Sequence, residues 1–155
     1  MECRFNSESE KKALVKDFLK KYGDNLPPEA LNKAETLINN FVLECDTNND
    51  ITSAVTYEPK TDWYLCTIRY LATHADHRKK GLGLKVATEV IENAKKNPNC
   101  LVLAADIDFD NMFSKKVFER LGFTERTRFC WGAGQKPADI LHYVKFPPQA
   151  DGKSC

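Results

Sequence analysis

No run of this 155-residue chain approaches the roughly 20 consecutive apolar residues that cross a bilayer, so no membrane span is expected. The start Met1-Glu2-Cys3-Arg4 is polar and reads as lacking a signal peptide, which points to a cytoplasmic protein. Charge of one sign is not in excess either. Lys and Arg number 23 against 22 Asp and Glu, a net charge of +1. General binding to nucleic acid or to a membrane surface needs a concentrated basic face, so neither partner is expected. Metal-ligand spacing is missing. The six cysteines (Cys3, Cys45, Cys66, Cys100, Cys130 and Cys155) and the histidines His74, His77 and His142 form no short ligand pattern. Asp106-x-Asp108-x-Asp110 continues with Asn111 where a calcium loop requires glycine. No metal is expected. Four of the cysteines lie in apolar runs and read as small hydrophobes, so free thiols in a reducing compartment are expected, with no structural disulfide.

Internal repeats and low-complexity tracts are also absent. With 42% hydrophobic and 29% charged residues, the chain suits one folded domain, placed at 1–146, followed by a tail at 147–155 that is expected to be disordered. Residues 8–22 carry Leu14, Val15, Phe18, Leu19 and Tyr22 at helical spacing. Ser7 and Glu10 suit a capping box at the start, and Gly23 suits the end. Pro27-Pro28 opens a second helix. Strands are predicted at 41–45 and 51–57, joined by Asp46-Thr47-Asn48-Asn49-Asp50 as a turn, and then at 63–73. A helix over 84–97 follows, with Ala87, Val90, Ile91 and Ala94 inward. Residues 100–105 are continuously apolar, as in a strand buried on both faces. A helix over 111–121 and strands at 123–131 and 140–146 complete the chain, with a loop at 132–139. The class is α/β: one domain with a mixed sheet, in the order α-α-β-β-β-α-β-α-β-β.

Glycine is scarce, seven in all, so the pair Gly81 and Gly83 stands out. They sit in Arg78-Lys79-Lys80-Gly81-Leu82-Gly83, between a strand and a helix. The first N–H groups of a helix lack internal partners and point outward, and the helix dipole adds partial positive charge there. Two glycines let a ligand approach the backbone, and Arg78, Lys79, Lys80 and Lys85 add cations. This chemistry suits a pyrophosphate. A solvated basic loop is the plainer alternative. The loop lacks the Gly-Lys-Ser/Thr ending of a Walker motif and the three-glycine dinucleotide pattern.

Leu71-Ala72-Thr73-His74-Ala75-Asp76-His77-Arg78-Lys79-Lys80-Gly81-Leu82-Gly83-Leu84 resembles the acetyl-coenzyme A signature of the GNAT acetyltransferase superfamily. Asn111 followed by Phe118-Glu119-Arg120-Leu121-Gly122-Phe123 resembles a second element of that family, and the order of elements is similar over 8–146. The resemblance implies a GNAT-like mixed sheet with splayed central strands and acetyl-CoA as co-substrate. Cofactor contacts would come from Leu71, Ala72 and Thr73 for the pantetheine arm, and from Arg78, Lys79, Lys80, Gly81, Leu82, Gly83 and Leu84 for the pyrophosphate. Asn111, Ser114, Lys115 and Phe118 would form the opposite wall.

The sequence departs from the family pattern at Phe118, where many members carry a tyrosine that protonates the departing thiolate. Phenylalanine has no proton to give, and it reads equally as core. For proton transfer the candidates are Asp106, which shares a strand face with Asp108, and Tyr70. The aspartates also have a plainer reading, as groups that bind solvent or cap the next helix. Cys66 has no histidine placed to make it a nucleophile. The expected reaction is acetyl transfer from acetyl-CoA to a primary amine, with a small cationic amine such as a polyamine as acceptor. That expectation draws on Glu44, Asp46, Asp50, Asp62, Asp106 and Asp108 near strand ends. Alternatives are a peptide or protein amine (a lysine or an N-terminus) and a non-catalytic acyl-CoA-binding module. Either a monomer or a homodimer fits.

Overall fold

The computed structural model describes residues 2–23, 40–60, 65–108, 111–130 and 139–145. The expected second helix, residues 132–138 and the C-terminal tail lie outside them. Helix α1 (Glu8–Tyr22) starts where the sequence predicts: the Ser7 hydroxyl accepts from the Glu10 N–H at 3.1 Å. The return half of the box is displaced by one residue, because the Glu10 carboxylate accepts from the Asn6 N–H at 2.7 Å. Gly23 ends the helix without left-handed geometry; its N–H donates to the Leu19 carbonyl at 2.9 Å.

Strands β1 (Phe41–Cys45) and β2 (Ile51–Lys60) form an antiparallel hairpin. Its turn is held by Asp46, whose carboxylate accepts from the N–H groups of Asn48 and Asp50 at 2.8 and 3.0 Å. Asn49 takes a positive φ of 71°, which asparagine tolerates. Strand β3 (Leu65–Thr73), a single 3-10 turn (Ala75–His77), helix α2 (Leu82–Lys95) and strand β4 (Val102–Asp108) follow. Helix α3 (Met112–Arg120) and strands β5 (Thr124–Cys130) and β6 (Asp139–Lys145) close the order. Several boundaries move relative to expectation: β2 runs on to Lys60 and β4 to Asp108, and two shifted starts bear on the site. Helix α2 begins at Leu82, so both glycines belong to its start. The buried strand begins at Val102, leaving Leu101 55% exposed before it.

The six strands form one sheet in the order β1-β2-β3-β4-β6-β5, antiparallel except for the parallel β3/β4 pair at its centre. Helix α1 covers one face through Val15, Phe18 and Leu19 on Ala54 and Ala72. Helices α2 and α3 cover the other, burying Val86, Val90, Ile91, Val117 and Phe118 on Val55, Ile68, Leu103 and Ile107. Each such aliphatic side chain contributes about 1.5–3 kcal/mol on leaving water. Leu103, Ala104 and Ala105 are all buried, as a central strand covered on both faces requires.

The cysteine expectation fails at one pair. Cys3 and Cys45 form a disulfide across 42 residues, with Cα atoms 5.3 Å apart. Cys45 is buried at the end of β1, as its apolar run suggests, but nothing local to Cys3 announces its partner. The chain entering α1 is also paired to the hairpin turn: Arg4 N–H to Asn49 Oδ1 and Asn49 Nδ2 to the Arg4 carbonyl, both at 2.7 Å. This bond is at odds with the reducing surroundings expected from sequence, since disulfides persist where the medium is oxidising. Cys66 and Cys100 are free and buried. No helix among the described residues is long and apolar enough to cross a membrane.

Candidate active site

The centre of the sheet opens where β3 and β4 part. Their register runs only from Leu65↔Val102 to Ile68↔Ala105. Beyond it, β3 stays with β2 through Ala54↔Ala72 and Ser53↔Thr73, while Asp106, Ile107 and Asp108 of β4 pair with His142, Leu141 and Ile140 of β6. A bulge accompanies the parting. Two residues, Tyr70 and Leu71, stand against Val55 alone, and Tyr70 takes a φ of 51°. A left-handed tyrosine costs about 1–2 kcal/mol, and such strain concentrates at functional sites. Hydroxyls satisfy the carbonyls nearby: Thr56 Oγ1 donates to Arg69 O at 2.9 Å and Ser53 Oγ to Ala72 O at 3.0 Å.

After Thr73 the chain turns into the glycine loop. His74 caps the 3-10 turn, its Nδ1 accepting from Asp76 N–H at 3.2 Å. Tyr22, at the end of α1, lies against the His74 ring at 4.4 Å, which ties the first helix to the root of the loop. Arg78 Nε donates back to the Thr73 carbonyl at 3.3 Å. Lys79 and Gly81 both take left-handed conformations, φ 63° and 76°. Gly81 is the N-cap of α2 and offers no side-chain acceptor, so the first-turn N–H groups have no capping side chain. Next to it, Gly83 is packed tightly: a Cβ there would lie 2.9 Å from Phe113 Cζ and 3.4 Å from Thr73 Oγ1.

Loop and α3 face each other across a cavity of about 700 Å³. Thr73, Lys79, Gly81, Leu82, Gly83 and Leu84, all expected at the cofactor, line it. The other expected residues do not. Leu71 and Ala72 are buried in the two cores. Asn111 caps α3, its Oδ1 accepting from Ser114 N–H at 3.1 Å, and Ser114 is buried behind it. Phe118 is 2% exposed and packs on Phe123 with ring centroids 5.2 Å apart, a core position rather than a wall. The wall that α3 supplies is instead Phe113, Lys116, Val117 and Arg120, with Glu119. The first four stand at i, i+3, i+4 and i+7, so helical phase counted from the Asn111 cap is the sequence signal that identifies them. His77 joins from the loop side.

Lys85, expected among the loop cations, points elsewhere. Its ammonium meets the Glu44 carboxylate of β1 at 2.6 Å. Partial burial pushes the Glu44 carboxyl up, but hydrogen bonding and charge, with Lys85 first among the groups that supply them, outweigh it and hold the pKa below the ordinary 4.5. A lowered folded pKa means that the stabilisation is fully present above about pH 4.5 and is lost as pH falls through the folded value. Glu44→Gln is expected to lose less than about 1 kcal/mol at pH 7, since Lys85 is more than half exposed. The difference in melting temperature between parent and variant should narrow as the pH falls below about 4.5. A difference unchanged between pH 7 and pH 3 would show that the pair contributes nothing. Cys66 is excluded as a nucleophile: burial, then the neighbouring Cys100, pushes its thiol up to about 12, so it carries no thiolate at neutral pH. Of the two proton-transfer candidates, Tyr70 packs against the α1 cluster, and Asp106 is the first residue of β4 past the end of the β3 register.

A family model described as the acetyltransferase (GNAT) family matches residues 9–123, well over half of the chain. The chain belongs to the GNAT acetyltransferase family. It is thereby an acetyl-CoA-dependent transferase. Curated protein sequences contain no match to it. Solved GNAT-type structures share the fold at low identity. The NatC complex bound to Gag peptide and CoA is 15% identical, with a TM-score of 0.75 and 94% and 96% of the two chains covered. The ribosomal-protein-S18-alanine N-acetyltransferase from Escherichia coli is 14% identical, with a TM-score of 0.73 over 93% and 92%. A spermidine N-acetyltransferase chimera from Vibrio cholerae and hSSAT is 11% identical, with a TM-score of 0.71 over 91% and 92%. Acceptors as different as protein and spermidine are named among these GNAT structures, so the shared fold does not fix the acceptor of this chain.

Proposed function

We propose that this acetyltransferase holds acetyl-CoA with its pyrophosphate on the 78–84 loop and passes the acetyl group to a primary amine of a small cationic acceptor, such as a polyamine. The observation that carries the cofactor half is the uncapped N-terminus of α2, with two left-handed residues before it, opening onto the cavity. The first-turn amides are free to donate to an anion, and Gly83 puts no side chain between loop and α3, where a Cβ would lie 2.9 Å from Phe113 Cζ. Arg78, fixed to the end of β3, holds the loop against the splay. Asn111 sets the start of α3 and so the phase of the facing wall. Bound acetyl-CoA supplies an activated thioester. The domain responsible is 1–146.

The acceptor half rests on Asp106 and Asp108, which occupy the stretch of β4 that β3 has left. Two acids expected to help are occupied by this chain's own groups, Glu44 by Lys85 and Asp46 by its turn. An ammonium must lose a proton before it attacks, and a carboxylate on this stretch of β4 is the group proposed to attract the cation and accept that proton, directly or through water. Asp106→Asn is expected to lower kcat/KM for spermidine at least tenfold and to weaken its dependence on salt, since exposed charges are screened beyond about 8 Å at physiological ionic strength. Spermidine and a peptide with an uncharged N-terminal side chain would be compared at low and high salt, in parent and variant. Preference for the peptide, with no salt effect on spermidine and no loss in the variant, refutes the cationic acceptor and favours a protein amine.

A further inference from the structure

Among the described residues, several cations are already engaged within the chain. Lys11, Arg69, Lys85 and Lys95 each meet a carboxylate: Glu8, Glu58, Glu44 and Glu92. Lys79, Lys116 and Arg120 make no side-chain ion pair or hydrogen bond among the described residues. All three line the same cavity, Lys79 on the loop and Lys116 with Arg120 one turn apart on α3. Three cations thus line one cavity with a single carboxylate, Glu119, among the described residues of its wall. Like charges held around one opening repel, and an anion entering between them relieves that repulsion.

The position on α3 says which anion. A pyrophosphate seated on the loop is met by backbone amides and the positive end of α2. The far wall offers the opposite. Arg120 lies in the last turn of α3, where the helix presents carbonyls and partial negative charge. A phosphate there depends on side-chain cations alone. We propose that Lys116 and Arg120, with Lys79 opposite, bind the ribose 3′-phosphate of coenzyme A, so that this chain selects the 3′-phosphorylated cofactor over its dephospho form. The inference rests on the cofactor site proposed above and adds the residues and the phosphate that set its specificity. A ribose phosphate monoester carries nearly two negative charges at neutral pH, enough to engage more than one of these cations. Arginine meets two of its oxygens with a planar fork, and lysine adds a point charge.

Calorimetric titration with coenzyme A and with 3′-dephospho-coenzyme A tests this. The parent should bind coenzyme A at least tenfold more tightly than the dephospho form, and the preference should shrink with added salt. The double variant Lys116→Ala/Arg120→Ala changes two exposed side chains and should stay folded, with an unchanged melting temperature. It should bind coenzyme A ten- to a hundredfold more weakly and dephospho-coenzyme A as the parent does, closing the preference. Lys116→Glu alone should weaken coenzyme A more than the dephospho form. A parent that binds both forms equally, or a variant that weakens both by the same factor, overturns the assignment while leaving the cofactor on the loop. A parent that binds neither form overturns the cofactor site as well.

Discussion

Cys3→Ser, or reduction of the Cys3–Cys45 bond, is expected to lower the unfolding free energy by about 4 kcal/mol. The figure is the loop-closure entropy regained by the unfolded chain when a cross-link spanning 42 residues is removed. For a chain of this length each kcal/mol moves the melting temperature by about 2–4 °C, so a fall of roughly 8–16 °C follows. Part of the native geometry should survive. The Arg4–Asn49 pair still docks the segment, Lys11 still lies 4.8 Å over the Phe41 ring, and α1 keeps its buried Val15, Phe18 and Leu19. The loss should therefore appear first as faster hydrogen exchange in α1 and the β1–β2 turn, and only later in α2. Two measurements check this. Mass spectrometry of the non-reduced protein should yield the peptide that links Cys3 to Cys45, and calorimetry with and without a dithiol should give the shift. A melting temperature that moves by less than about 2 °C on verified reduction would show that the bond constrains nothing the fold does not already fix.

That bond also marks the limit of what the residues disclose by themselves. Helix α1 is legible because its apolar stripe, its Ser7 cap and its length all agree, and it is found over the predicted residues. Strand β4 is legible in kind because Leu103, Ala104 and Ala105 are apolar whichever way they face, and for the same reason its start is not: a continuous run carries no phase. The disulfide joins partners whose proximity is created only when the N-terminal segment crosses the hairpin, and no spacing encodes that. The cavity falls between these cases. Its loop wall was readable, because Gly81 and Gly83 at a helix start have a local physical meaning. On α3 the expected Ser114 and Phe118 are buried and Lys115 is not among the residues that line the cavity, since a motif names residues while helix phase decides which of them face outward. With Asn111 as cap, Phe118 falls on the buried stripe with Ser114, and Lys116 and Arg120 fall on the open one. The bulge at Tyr70 carries no mark in the sequence: tyrosine is a strand former, and its left-handed φ falls where two residues of β3 face Val55 of β2.

Gly83→Val should abolish measurable acetyl-CoA binding while leaving the fold intact. Gly83 is helical and needs no positive φ, so valine meets no backbone objection there, in contrast to Gly81, where φ is 76° and a side chain would cost about 1–2 kcal/mol of strain. What valine meets is side chains. Its Cβ would stand 2.9 Å from Phe113 Cζ, the far end of a ring that is itself 39% exposed and free to swing outward. Thr73 Oγ1, at 3.4 Å, gives less easily, because it is hydrogen-bonded at 3.0 Å to the buried Ser53 hydroxyl. The protein therefore survives by pushing Phe113 away, and the valine methyls and displaced ring then take up the space between loop and α3. Affinity should fall at least a hundredfold, which is about 2.8 kcal/mol at 1.4 kcal/mol per factor of ten. A second substitution separates steric from structural loss: Phe113→Ala in the Gly83→Val background opens the same space and should recover part of the affinity. Titration calorimetry reads the affinity and circular dichroism the fold. A folded Gly83→Val protein that binds acetyl-CoA as tightly as the parent would place the cofactor elsewhere. Binding lost in Gly83→Val and not improved by Phe113→Ala would mean that the valine distorts the start of α2 rather than filling the cavity.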